Sequence, residues 1–141
     1  METKTSELIA RGILFKEEKI LLCKAISGGH HFLPGGHIEF GEKAEDTLPR
    51  EFIEETGEKI EVGKFVGAFE TKYGEGEVHH ELNLVFLIKT SAENITSKED
   101  HIEYLYVNKE EFEKIKFLPK FMKEVILQFW DNQQTFWASD M

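Results

Sequence analysis

Cysteine, proline and basic charge are all scarce in this chain of 141 residues, which has one Cys, three Pro, and 17 Lys and Arg against 27 Asp and Glu. A single cysteine, Cys23, excludes an internal disulfide and suits a reducing compartment, so a cytoplasmic setting is expected. Its place in the apolar run KILLCKA marks it as a buried structural thiol rather than a reactive one. A formal net charge of -10 with no basic stripe lacks the electrostatic footprint of a nucleic-acid binder, and no nucleic-acid partner is expected. No apolar run approaches the roughly 20 residues of a membrane span. The N-terminal METKTSELIA also lacks the apolar stretch of a secretion signal, so no membrane association is expected.

What is present describes a folded domain. Hydrophobic residues make up 40% of the chain and charged residues 31%, enough to bury a core, and the length suits a single domain over 1–141. Glu7 to Phe15 and Lys19 to Ala25 read as β-rich runs joined at Lys16 to Glu18 in a hairpin. The glycine-rich ISGGHHFLPGGHIEFGE that follows is incompatible with a stable helix. From Lys43 to Thr56, Ala44, Leu48, Phe52 and Ile53 share one helical side, and Gly57 supplies a stop. KIEVGKFVGAFETKY and EVHHELNLVFLIKT read as strands. In the second, Leu82, Leu84, Phe86 and Ile88 form a core face, while the face with His79, Glu81 and Asn83 begins polar.

IEYLYV is a further strand, and Asn108 with Glu111 three residues on has the form of a capping box opening a short helix. LPKFMKEVILQFW reads as a last helix with Pro119 near its first turn and Met122, Val125, Ile126 and Phe129 buried. Phe129-Trp130 and Phe136-Trp137, seven residues apart, keep one helical side aromatic. Core packing is the default for that tail; if exposed, it could form a homodimer contact or stack on a nucleobase. Strands, a mid-chain helix, more strands and a helical end predict a mixed α/β domain.

The stretch REFIEETG sets Glu51, Glu54 and Glu55 within five residues in an already acidic chain. On a helix, Glu51 and Glu55 lie about 40° apart and Glu54 falls beside them, so the three carboxylates can converge. Exposed like charges at this spacing cost only about 0.2–0.5 kcal/mol. Energy alone therefore leaves a solvated acidic face open, and spacing and context must decide.

GGHIEFGEKAEDTLPREFIEETG resembles the Nudix box: Gly, five residues, Glu, seven residues, then Arg-Glu-apolar-x-Glu-Glu-x-Gly-apolar. Gly36, Glu42, Arg50, Glu51, Phe52, Glu54, Glu55 and Gly57 occupy the required positions. The resemblance implies the Nudix fold, a mixed sheet sandwiched between helices. It also implies hydrolysis of a nucleoside diphosphate linked to another group with Mg²⁺ or Mn²⁺, ADP-ribose-type substrates ahead of (d)NTPs. A non-catalytic nucleotide-binding module on the same fold is the alternative.

By the same resemblance Glu51, Glu54, Glu55 and the Gly36 carbonyl are metal ligands, Glu42 stands behind them, and Arg50 orients Glu51. The general base is Glu51, or Glu99 on a later loop, or Glu81. His79, Glu81 and Asn83 share a strand face that either lines the substrate cleft or faces solvent. His30, His31 and His37 flank the glycine loop and read as surface histidines, with contact to phosphate or base as the alternative. Zinc is disfavoured, because no His pair has helical ligand spacing.

Two residues strain the box. Glu58 stands where an apolar residue belongs, a place Ile60 could fill, and Pro49 inside the helix predicts a kink or loosened turn near Glu45 to Pro49.

Overall fold

The computed structural model describes residues 3–141, so the first two residues of METKTSELIA lie outside it. Glu17 and Glu18 have positive φ, 50° and 62°, and form the turn between β2 (Phe15–Lys16) and β3 (Lys19–Ala25), a backbone shape whose twist matches paired strands. The expected hairpin is present but shorter than the sequence pattern suggests. The run from Glu7 to Phe15 breaks at Leu14, and its first part belongs to β1 (Thr3–Ile13) in a different sheet. Leu14 marks the crossing: its side chain is buried and its carbonyl accepts from Leu21 N at 3.0 Å.

After β4 (His31–Phe32) and β5 (Gly35–His37) the chain forms α1 (Ala44–Thr56), then the long strands β6 (Glu61–Tyr73) and β7 (Glu77–Lys89). β8 (Ile102–Asn108), α2 (Lys109–Lys114), α3 (Lys120–Asn132) and β9 (Phe136–Ser139) complete it. One mixed sheet has the order β5-β1-β7-β6-β9, with β1 parallel to β7 and β6 antiparallel to β7. β3 organises the other sheet, pairing with β2, β4 and β8.

Alternation along the strands divides the buried residues into two cores. Ala10, Phe86 and Ile88 point to one face, where they meet Leu48 and Phe52 of α1 together with Leu21, Cys23 and Tyr104 of the second sheet. Ile13, Phe69 and Val85 point to the other, against Met122, Val125, Ile126 and Phe129 of α3 and Ile20, Leu22 and Val107. The first sheet is thus sandwiched between helices, as expected. No helix among the described residues is long and apolar enough to cross a membrane.

The structure corrects the sequence pattern in several places. The polar face of β7 does not meet solvent at its centre: Glu81 is 7% and Asn83 2% exposed, because they lie on the side that α3 and β6 help to cover. The aromatic tail is not one helical side. Gln133, with φ 57°, ends α3 and donates its N–H to Phe129 O at 2.8 Å, after which Phe136–Ser139 runs parallel to β6. A Cβ on Gly67 would come within 2.5 Å of the Phe136 ring, so glycine there makes room for the new strand.

α1 runs without interruption through Pro49 rather than loosening there. Glu45 is exposed, so solvent can serve the carbonyl that Pro49 leaves without a donor. Gly57 adopts φ 78° and returns its N–H to the Phe52 and Ile53 carbonyls. Ile60 joins the buried cluster of Leu48 and Phe52, which supplies the apolar contact that Glu58 cannot.

Gly35 has φ 156°, and a Cβ on it would fall 2.0 Å from the Ala10 carbonyl oxygen. Backbone cannot yield as a side-chain tip can. Gly35→Ala is expected to destabilise the protein by about 2 kcal/mol or more, measured by urea denaturation; a midpoint unchanged from wild type would contradict this packing.

Candidate active site

Arg50 in the second turn of α1 reaches back to the glycine loop and collects the carboxylates around it. Nε donates to Glu42 Oε2 at 2.7 Å and Nη2 to Glu42 Oε1 at 3.0 Å, a two-pronged pairing that suits the planar guanidinium. Nη1 donates to Glu51 Oε1 at 3.0 Å and Glu54 Oε2 at 3.2 Å, and Nη2 also to the His37 carbonyl at 3.1 Å. Its principal partner is therefore Glu42, and its contact with Glu54 is one arm of a larger network. Arg50, the Glu39 N–H and the Thr47 hydroxyl hold the Glu42 carboxyl down at about 2. Reciprocally, Glu42 first and then Glu51 push the Arg50 guanidinium higher still.

Glu51 lies against the backbone of β5. A Cβ on Gly36 would meet Glu51 Cδ at 2.4 Å, so only glycine lets the carboxylate rest there. One turn further on, Glu55 is half-buried, and its Oε2 accepts from the Tyr104 hydroxyl at 2.6 Å. Burial raises its carboxyl, Tyr104 opposes the rise, and the charges of Glu51 and Glu99 add to it. Tyr104, itself buried, is raised by desolvation, and the Cys23 thiol beside it is pushed up to about 12, chiefly by burial. Cys23 is structural, as expected.

Glu54 projects outward, 57% exposed, and among the described residues its hydrogen bond to the cluster runs through Arg50. Glu99 sits on the loop between β7 and β8, near enough to influence Glu55 and 3.1 Å from His101 Nε2. That loop is tied to the helix end, where Lys98 N donates to the Glu55 carbonyl at 2.7 Å.

His79, Glu81 and Asn83 share one face of β7 but have different partners. His79 Nδ1 lies 2.7 Å from Glu7 Oε2, and His37 Nε2 lies 2.6 Å from Glu7 Oε1, so Glu7 bridges two histidines. The bridge lowers the Glu7 carboxyl, first through its hydrogen bond with His37, and raises His79, first through its hydrogen bond with Glu7. Glu81 accepts from the Tyr73 hydroxyl at 2.8 Å and lines a cavity of about 400 Å³, which Arg11 and His30 also line. Asn83 is taken up by Arg11, whose Nε donates to its Oδ1 at 3.1 Å. His31 is buried rather than superficial, with Nδ1 3.1 Å from the Lys116 carbonyl.

Arg11 and Tyr104 escape sequence reasoning. Each stands in an otherwise ordinary strand, and Tyr104 is 49 residues from the carboxylate it holds, so no local spacing links them.

As a donor set, Glu51, Glu55, Glu54 and the Gly36 carbonyl are hard oxygens with no thiol or imidazole among them, which fits Mg²⁺ or Mn²⁺ better than zinc. Among the described residues no three or more His, Cys, Asp or Glu are grouped so that they could hold a metal ion by themselves. Such a partial shell suits a cation that keeps waters and completes its coordination with phosphate oxygens.

The description NUDIX domain belongs to the family model that matches residues 7–129. An ADP-ribose pyrophosphatase of Methanocaldococcus jannaschii is 29% identical over 109 residues, covering 75% of this chain and 64% of that protein. A probable DHNTP pyrophosphohydrolase of Lactococcus lactis subsp. cremoris is 30% identical over 122 residues, covering 84% of this chain and 64% of that protein. The chain thus spans 64% of the length of each of these curated relatives. The fold is similar to that of a MutT protein from Methanosarcina mazei Go1, with a TM-score of 0.74 and 22% identity, covering 92% of this chain and 96% of that one. Nudix pyrophosphatases act on nucleoside diphosphate derivatives and generally use divalent metal ions. The family match runs from Glu7 in β1 to Phe129 in α3 and takes in both cores and the glutamate cluster: the chain belongs to the Nudix family.

Proposed function

We propose that the protein is a single-domain, cytoplasmic pyrophosphohydrolase that cleaves the diphosphate linkage of a nucleoside diphosphate derivative. The observation that carries this reading is the Glu51 carboxylate seated on Gly36, with Glu55 one turn away on the same helix. ADP-ribose-type substrates come ahead of (d)NTPs, in keeping with the name of the Methanocaldococcus relative. The complete set Glu51, Glu54 and Glu55 speaks against a non-catalytic nucleotide-binding module.

Glu51, Glu55 and the Gly36 carbonyl would hold Mg²⁺ or Mn²⁺, with Glu54 as a further or water-mediated ligand. When bound, the cation supplies charge neutralisation on the diphosphate and a more acidic water. The chain's own residues prepare the place. Arg50 and Tyr104 each fix one carboxylate oxygen, so Glu51 and Glu55 have one orientation to offer instead of many. Glu42 keeps Arg50 in position through paired hydrogen bonds. Glu51 is the first candidate for the group that takes the proton of the attacking water, and Glu99, on the loop whose Lys98 N–H is bonded to the helix end, is the candidate from outside the helix. Glu81 is engaged with Tyr73 and is better placed for binding than for proton transfer. A homodimer would use exposed apolar side chains such as Trp137.

Release of phosphate-containing products from a nucleotide panel with Mg²⁺ tests the activity. Glu51→Gln and Glu55→Gln should each lower turnover by about a hundredfold or more while leaving the thermal midpoint near wild type; wild-type rates in both variants would sink the assignment. Gly36→Ala should displace only the flexible end of Glu51, so turnover falls by about tenfold or more with folding stability nearly unchanged. Mn²⁺ at about 100 times its Kd should stabilise the fold by about 2.7 kcal/mol, read as a raised Tm, and Glu55→Gln should abolish that rise.

A further inference from the structure

The cavity beside Glu81 has a chemistry of its own. Glu81 is 7% exposed, one of its oxygens is committed to the Tyr73 hydroxyl, and among the described residues its Oε1 makes no hydrogen bond. Arg11 lines the same space. Its Nε goes to Asn83 and its Nη1 to the Leu33 carbonyl at 3.0 Å, which leaves Nη2 without a partner among the described residues. The two side chains attract one another, yet no ion pair joins them. A carboxylate oxygen of buried Glu81 and a guanidinium nitrogen of part-buried Arg11, neither taken up by a protein partner among the described residues, therefore line one cavity of about 400 Å³, where a ligand must replace the water that serves them.

The ligand that satisfies both must donate through an N–H or O–H and accept at a neighbouring atom. Phosphate offers acceptors alone and would be repelled by Glu81. A sugar can donate, but Phe32 and Leu118 flank the cavity with apolar surface that favours a flat ring. A nucleobase carrying an exocyclic amino group beside a ring nitrogen meets every demand.

Resting on the reading of the protein as a nucleotide hydrolase, we propose that this cavity takes the nucleobase and that Glu81 is a specificity-determining residue. Its free oxygen accepts from the exocyclic amino group, and Arg11 Nη2 donates to the adjacent ring nitrogen. Sites built this way discriminate strongly against analogues that lack the donor, because the buried acceptor is then stranded.

The test is calorimetric binding of AMP and of purine riboside 5′-monophosphate, identical except for the missing 6-amino group, to the protein without divalent ions. Neither probe has a cleavable diphosphate linkage, so binding is read apart from catalysis. Wild type should bind AMP at least about tenfold more tightly, equivalent to about 1.4 kcal/mol. In Glu81→Gln the amide oxygen stays with Tyr73 and the NH₂ group faces the cavity, so the preference should shrink to about twofold or less. Equal binding of the two probes by wild type, no AMP binding at millimolar concentration, or a full preference retained in folded Glu81→Gln would each overturn the proposal. The wild-type comparison decides even if the variant does not fold. AMP preference without hydrolysis of any diphosphate substrate would overturn the hydrolase reading and leave the pocket standing; hydrolysis without AMP preference would do the reverse.

Discussion

The carboxylates of Glu42, Glu51 and Glu54 are gathered by one guanidinium. Arg50 is the only basic residue of α1, and it stands among Glu39, Glu42, Glu51 and Glu54, with Glu42 taking two of its hydrogen bonds. Without it the ties between the loop before α1 and the helix among the described residues would be the Thr47 hydroxyl bonds to Glu42 and the Lys43 carbonyl and the backbone bond at Asp46. Mutual repulsion would then spread the carboxylates into solvent. With it, an array of like charges becomes an ordered set of oxygens. The guanidinium does this as a planar, five-donor group, which a lysine ammonium cannot imitate.

Around this cluster the two sheets do different work. Parallel pairing of β1 with β7 sets Glu7 opposite Glu81 and Ile9 opposite Asn83, which brings Arg11 close enough to bond Asn83 along the same face. Antiparallel pairing of β3 with β8 sets Cys23 opposite Tyr104 and presents the Tyr104 hydroxyl to Glu55 from the second sheet. Arg11 feels both Glu81 and Glu55, so the cavity and the carboxylate cluster share an electrostatic environment although different faces of the first sheet support them. A substrate that joins a base to a diphosphate has a corresponding need for two unlike subsites.

The elements most legible in the sequence were those with local causes. α1, its glycine stop, the Asn108–Glu111 capping box and the buried side of α3 all follow from periodicity and caps that act within a few residues. The misjudged elements have non-local causes. The Glu7 to Phe15 run is uniformly strand-like, yet Leu14 carries it from one sheet to the other. Phe136 and Trp137 repeat an earlier dipeptide at helical spacing, but Gln133 turns the chain and Gly67 on a distant strand receives the Phe136 ring. Pro49 looked disruptive because its cost is local, while the exposed position of Glu45 that makes it tolerable is set by how the helix lies on the core.

By itself the sequence determined the glutamate spacing, the glycine loop before it and the family those residues resemble, because an α-helix fixes the angular relation of residues one turn apart. Only the tertiary structure decided what those glutamates touch. Gly36 as the seat of Glu51, Tyr104 as the donor to Glu55, and the burial of Glu81 beside Arg11 all arise where strands distant in sequence are brought together. Hydrogen-bond partners and burial are properties of that assembly, and no local pattern encodes them.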